Sequence, residues 1–209
     1  MFPKHIVLFI IDLNVIIVKI FVIQVVTHME DDANLIWKEE KRTELLKTPV
    51  FTVTERHNKG PQGIEGDYIV NEARDWAIVI AEHENMFLMV KQWRHGEKAL
   101  SIEFPGGVIE YGEKAEEAAR RELLEETGAS ADTFVHLGSM NPNPALFANH
   151  VHFFYASNLH FSGKQHLDKD EFVNCISMKK EDVYNLVGTA SFPHALMASA
   201  LALYLIKRA

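Results

Sequence analysis

The stretch "GGVIEYGEKAEEAARRELLEETGAS", residues 106–130, decides how this chain is read. It holds seven glutamates in twenty-five residues. The spacing predicts a helix over about Lys114 to Thr127, stopped by Gly128. Glu122 and Glu126 lie four apart and Glu125 lies three from Glu122, so all three fall on one face. The opposite side carries Ala115, Ala119 and Leu123, a stripe that can pack closely on a sheet. Like charges at this spacing repel, and no Lys or Arg stands four residues on from Glu122, Glu125 or Glu126 to neutralise them. A solvated acidic face is the bland alternative. Against it, a Gly-rich bend ahead of the helix brings backbone close to that face, and clustered carboxylates are the hard oxygen donors that Mg²⁺ or Mn²⁺ prefers.

Outward from this stretch the chain alternates short strands and turns. "PVFTVTERH", "DYIVNE", "WAIVIAEH" and "MFLMVKQWR" read as strands, with a hairpin turn at Glu82 to Asn85 between the last two. "SIEFPGGVIEYGE" is a strand broken by Pro105. "TFVHLGSM" and "HVHFFYASNL" flank the loop "NPNPALFAN". "EFVNCISMKKEDVYNLV" runs from strand into a short helix, and "FPHALMASALALYLIKR" is a final helix, apolar on most sides and so expected against a sheet. Mixed strands with two or three helices suggest a layered α/β domain.

The 209 residues carry a net charge of −8, which disfavours nucleic-acid and anionic-membrane partners. An acidic protein that handles phosphates needs a cation between itself and its substrate. The single cysteine, Cys175, excludes an intramolecular disulfide and suits a reducing, cytoplasmic setting. Its expected place is a buried strand. Residues 1–28 form an apolar leader whose longest clean run, Ile6 to Ile11, is short for a membrane helix. It is expected to lie outside the functional protein, with translation starting at Met29; a weak membrane anchor and an N-terminal strand pair are the alternatives. The expected division is this leader, an N-terminal strand region at 29–75, and a catalytic domain at 76–209.

The central stretch resembles the Nudix box, G-x5-E-x7-R-E-U-x-E-E-x-G-U, with U a bulky apolar residue. Here it reads Gly107, Glu113, Arg121, Glu122, Leu123, Glu125, Glu126, Gly128 and Ala129. The fixed positions all match; Ala129 is smaller than the usual last residue, a packing departure. The resemblance implies a Nudix fold, an α/β/α sandwich around a mixed sheet, and hydrolysis of a nucleoside diphosphate linked to another group. It implies metal ligands at Glu122 and Glu126, a contribution from Glu125, and a further ligand in the carbonyl of Gly106. Arg121 and Glu113 look like orienting residues.

The flanks "VKQWRHG" and "IEFPGGVIEYGE" look like the branch acting on ADP-ribose and nucleoside diphosphate sugars. From that likeness Arg94 would grip the diphosphate, Trp37 would stack on the base, and Pro144 would belong to a substrate loop. Glu171 would be the general base, with Asp168 and Asp170 as rivals. The branch also implies a homodimer built through N-terminal strands. "NPNPALFANHVHFF" departs from the Ser-Pro-Gly loop of ADP-ribose specialists, which favours a broader or different sugar. His150 and His152 alternate on one strand face and read as polar face or substrate contacts rather than a metal pair. The expectation is a Mg²⁺-dependent nucleoside diphosphate sugar hydrolase. A nucleotide-sugar-binding protein without catalysis and a hydrolase of capped RNA are the alternatives.

Overall fold

The computed structural model describes residues 32–167, 169 and 171–208. The expectations for residues 1–28, Met29, Asp168 and Asp170 fall outside the described residues. In chain order the strands and helices are β1 (Lys38–Lys47), β2 (Phe51–Lys59), β3 (Glu65–Ala73), β4 (Trp76–His83), β5 (Met86–Arg94), β6 (Ala99–Glu103), β7 (Gly106–Val108), α1 (Ala115–Thr127), β8 (Ala129–Met140), β9 (Val151–Phe161), β10 (Val173–Lys179), α2 (Lys180–Leu186) and α3 (Ala195–Arg208).

β4 and β5 build the centre because they are apolar on both faces. Ile78 and Ile80 enter one hydrophobic cluster, while Ala77, Val79 and Ala81 enter another on the opposite side. A two-residue hairpin joins the strands, with Glu84 and Asn85 at φ 49° and 62°. Such positive-φ turns match the natural twist of a strand pair. The main sheet runs in the order β10-β5-β4-β9-β8, with β6 on β5 and β7 on β4. The β4–β9 pair is parallel and its neighbours are antiparallel, so the sheet is mixed.

Helices cover both faces, giving the expected α/β/α sandwich. On one side Leu196, Met197, Ala200 and Leu201 of α3 meet Ile80, Phe87, Met89 and Phe153. α3 starts at Ala195 rather than at Phe192, with Pro193 just ahead of it. On the other side Ala118, Ala119 and Leu123 of α1 meet Ala77, Val79, Ala81 and Phe154. Alanines on both partners let helix and sheet approach closely, so Leu123, fully buried, fills the space. Truncating it to alanine is expected to cost about 2–5 kcal/mol.

β1, β2 and β3 form a separate three-stranded antiparallel sheet. β1 is absent from the sequence reading. Its "KEEKRTELLK" is exposed at every residue and is rich in helix formers. Pairing with β2 overrides that local preference. This sheet is tied to the body through Asn71, whose N–H donates to the Leu146 carbonyl (2.7 Å) and whose carbonyl accepts from Ala148 (3.1 Å). The loop containing Pro144 is therefore docked on β3. No helix among the described residues is long and apolar enough to cross a membrane.

Candidate active site

The centre of the site is the contact between α1 and the bend that precedes it. Gly107 lies against Glu122: a Cβ built there would stand 2.4 Å from the Glu122 carboxylate. At Gly106 a Cβ would stand 2.2 Å from the Ala77 carbonyl of β4. The two glycines thus let backbone pass between the sheet and the acidic helix face. The N–H of Gly106 donates to Glu126 Oε2 at 2.8 Å.

The acidic face is not solvated on the whole. Glu122 and Glu126 are buried, and only Glu125 is substantially open. It is also not without a counter-charge, which corrects the reading from i+4 spacing alone. Arg121, beside Glu122 and four residues before Glu125, reaches both. Its Nη1 donates to Glu122 (2.8 Å) and Glu125 (3.0 Å). Its Nε and Nη2 donate to Glu113 (2.9 and 3.0 Å), and Nη2 also to the Val108 carbonyl (3.0 Å). A guanidinium has five N–H groups, and all five are engaged within the protein. Arg121 therefore orders the loop and the carboxylates and has no N–H left for a ligand.

Arg121 faces three carboxylates, Glu113, Glu122 and Glu125, and the cation that reaches Glu126 beside them, Arg94, is itself paired with Glu103, so two guanidiniums meet five carboxylates. Burial pushes Glu122 up to about 7, helped by Glu125 and Glu171 and opposed by Arg121. Burial pushes Glu126 up to about 8, opposed by the Gly106 N–H and helped by Glu122 and Glu171. Holding both groups in their charged form is therefore unfavourable unless positive charge is added. Hard oxygen donors in charge excess, with backbone held against them by two glycines, fit a hydrated Mg²⁺ or Mn²⁺. The carbonyl of Gly106 belongs to the same bend.

The other candidates divide into two groups. Arg94, at the end of β5, lies within electrostatic reach of Glu126 and makes two bonds to buried Glu103 (2.7 and 2.5 Å). Glu171 is exposed, and its charge raises both Glu122 and Glu126. Together with Leu167 and Phe172 it lines a cavity of about 380 Å³. Trp37 and the Pro144 loop have their contacts with the N-terminal strands and their turns. The Trp37 ring, just ahead of β1, packs edge-on against Tyr68 of β3 (5.5 Å) and over Gly60, just past β2. Pro144 is exposed in the loop held by Asn71.

His152 shares its ring nitrogens between Ser139 (2.8 Å) and Asp75 (3.2 Å), so it is a linked polar side chain, whereas His150 is exposed. Cys175 is half-buried in β10, and burial raises its thiol. Glu40, His57 and Glu65 also converge, in the N-terminal sheet, but Asp67 already takes His57 and Lys59 takes Glu65. Glu103 escaped the sequence reading. Its available signal was a carboxylate on the same side of the β6 alternation as buried Ser101.

The NUDIX domain model matches residues 72–198. The chain is 34% identical over 134 residues to the ADP-ribose pyrophosphatase of Bacillus subtilis (strain 168), covering 64% of this chain and 72% of that one. It is 32% identical over 114 residues to the methanol dehydrogenase activator of Bacillus methanolicus, covering 53% of this chain and 60% of the relative. A crystal structure of an ADP compounds hydrolase superposes with a TM-score of 0.72 at 21% identity, over 82% of this chain and 92% of that one, a likeness of fold. With the box residues gathered where sheet, bend and helix meet, and the domain model spanning most of the chain, this protein belongs to the NUDIX domain family.

Proposed function

We propose that the protein is a Mg²⁺-dependent hydrolase of nucleoside diphosphate sugars such as ADP-ribose, ADP-glucose or GDP-mannose, with Mn²⁺ able to substitute. The carrying observation is the charge imbalance around α1: Arg121 is fully occupied, yet two buried carboxylates are pushed up to about 7 and about 8. Such a site binds a polyanion only with a cation between them. The residues that would hold it are Glu122, Glu125, Glu126 and the carbonyl of Gly106. When bound, the cation supplies positive charge against the phosphates and makes a water more acidic.

The chain's own residues supply the rest. Arg94 offers charge-assisted hydrogen bonds to diphosphate oxygens. Glu171 accepts the proton of the attacking water, a role open to it because it stands outside the metal-binding set. The water oxygen bonds to one phosphorus, and the bridging P–O bond breaks toward the other phosphate. The products are a nucleoside monophosphate and a sugar phosphate. Arg121 and Glu113 hold the bend against the helix. Trp37 stacks on the base and the Pro144 loop borders the substrate in the assembled homodimer. The N-terminal sheet is the dimer surface, supported by exposed Leu45 and Leu46 of β1 and by exposed Leu35 and Ile36 just ahead of it. The lone cysteine agrees with a cytoplasmic setting.

The test is kcat/KM for ADP-ribose, ADP-glucose, GDP-mannose and UDP-glucose with Mg²⁺ and with EDTA, using a coupled phosphatase. Mg²⁺-dependent turnover of at least one is expected. Tight binding without turnover would instead identify a nucleotide-sugar-binding protein, and turnover of capped RNA alone would overturn the substrate class. Sedimentation of the purified protein as a monomer would overturn the dimer.

A further inference from the structure

Arg94 and Glu103 lie farther apart along the sheet than their hydrogen bonds suggest. In the β5–β6 pairing Arg94 stands opposite Ala99, and Glu103 stands opposite Val90. Four register positions span about 13 Å of strand. The Arg94 side chain therefore folds back along the sheet from the end of β5 to meet Glu103. There its Nε and Nη2 take the two carboxylate oxygens at 2.7 and 2.5 Å. Among the described residues Nη1 makes no hydrogen bond, and the side chain is part-exposed. The direction matters because it brings the guanidinium toward Glu126. Three residues after Glu103, Gly106 holds Glu126 through its N–H. One short segment thus sets both the buried carboxylate and the arginine that faces it.

Glu103 is 1% exposed, whereas the Arg94 side chain is 40% exposed. A buried ion pair is a weak device for stability, since an apolar pair of similar volume often serves as well or better. A bidentate clamp does fix the plane of a guanidinium while leaving its outer edge open. We infer that Glu103 is a positioning residue: it turns Arg94 back toward the box and presents its open edge to the diphosphate of the substrate. The inference rests on the proposed function for the identity of the ligand.

The experiment is a double-mutant cycle of Arg94→Met and Glu103→Gln in the full chain, read by kinetics on ADP-ribose with Mg²⁺ and by calorimetric binding of inorganic pyrophosphate with Mg²⁺. Glu103→Gln is expected to raise KM and weaken pyrophosphate binding by about 10- to 100-fold, the range for losing a partner that orients a ligand-binding group, with a smaller change in kcat. In the Arg94→Met background Glu103→Gln should add nothing. Independent, multiplying effects would overturn the inference, as would a folded Glu103→Gln protein with unchanged KM and pyrophosphate affinity. Should Glu103→Gln fail to fold, Glu103→Asp decides, since it keeps the charge but withdraws the carboxylate from Arg94: a raised KM and weakened pyrophosphate binding support the clamp, and wild-type values overturn it. A wild type that hydrolyses no nucleoside diphosphate sugar would sink the proposed function, while the pyrophosphate measurement still judges the clamp.

Discussion

The arginine–glutamate network of the N-terminal sheet and the one at α1 differ in balance and burial. In the N-terminal sheet Arg42 and Arg56 face Glu39 and Glu72, two charges against two. Arg42 bonds Glu39 at 2.8 Å and Glu72 at 2.6 Å, and Arg56 bonds Glu72 at 3.0 Å. These side chains are part-exposed, so water screens them and each pair contributes little. At α1 Arg121 faces Glu113, Glu122 and Glu125, Glu126 is reached by Arg94 which is already paired with Glu103, and Glu122 and Glu126 are buried. The first network closes on itself. The second is left short of positive charge, and that shortage, rather than the number of glutamates, marks it as a site.

The sharpest way to break this comparison is Glu126→Gln. It keeps the shape and removes one buried charge, so the fold should persist while turnover falls by more than about 100-fold, beyond the range for a merely supporting partner. Wild-type-like kcat/KM in that variant would refute the metal assignment. Arg121→Ala comes next. It leaves Glu113, Glu122 and Glu125 without their shared donor, and should cost about 1–3 kcal/mol in denaturant unfolding together with about 10- to 100-fold in activity. A loss of stability with full activity would show that the network serves folding only.

Mg²⁺ probes the imbalance directly. Glu122 and Glu126 are raised above the ordinary 4.5, chiefly by burial. A raised carboxylate contributes stability below its unfolded pKa and loses it as pH climbs through the folded value. The metal-free protein should therefore weaken between pH 6 and pH 8 on account of these groups. Mg²⁺ competes with protons for these groups, so its stabilising effect should grow over the same interval, reaching about 2.7 kcal/mol at a hundred times Kd. Thermal melts with and without Mg²⁺ at both pH values check this; an equal shift at each would contradict it. The smallest effect is expected for Arg42→Ala, under about 1 kcal/mol in urea unfolding. A larger loss would mean that the two networks are more alike than their exposure suggests.

Much of the fold could be read in advance where local pattern and tertiary demand coincide. β4 and β5 are continuous apolar runs flanked by polar turn residues, and they occupy Trp76–His83 and Met86–Arg94 as expected. The α1 stop at Gly128 follows from its left-handed φ of 67°. β1 could not be read, because "KEEKRTELLK" has no buried face and becomes a strand only by pairing. At the site, the box spacing placed Glu122, Glu125 and Glu126 on one helix face. The engagement of every Arg121 N–H was hidden, since it depends on Glu113 and the Val108 carbonyl being folded over the helix.

The sequence by itself determined the identity and order of the charged groups, the helix that carries them and the glycines that admit backbone beside them, because these follow from spacing and side-chain size within one segment. Only the tertiary structure decided which charges are buried, which arginine is spent and which retains an open edge. Those outcomes depend on residues distant along the chain: Ala77 of β4 behind Gly106, Glu103 of β6 turning Arg94 of β5, and Glu171 adding its charge from the segment before β10. Electrostatics acts through space and burial, and neither is a property of a single stretch of sequence.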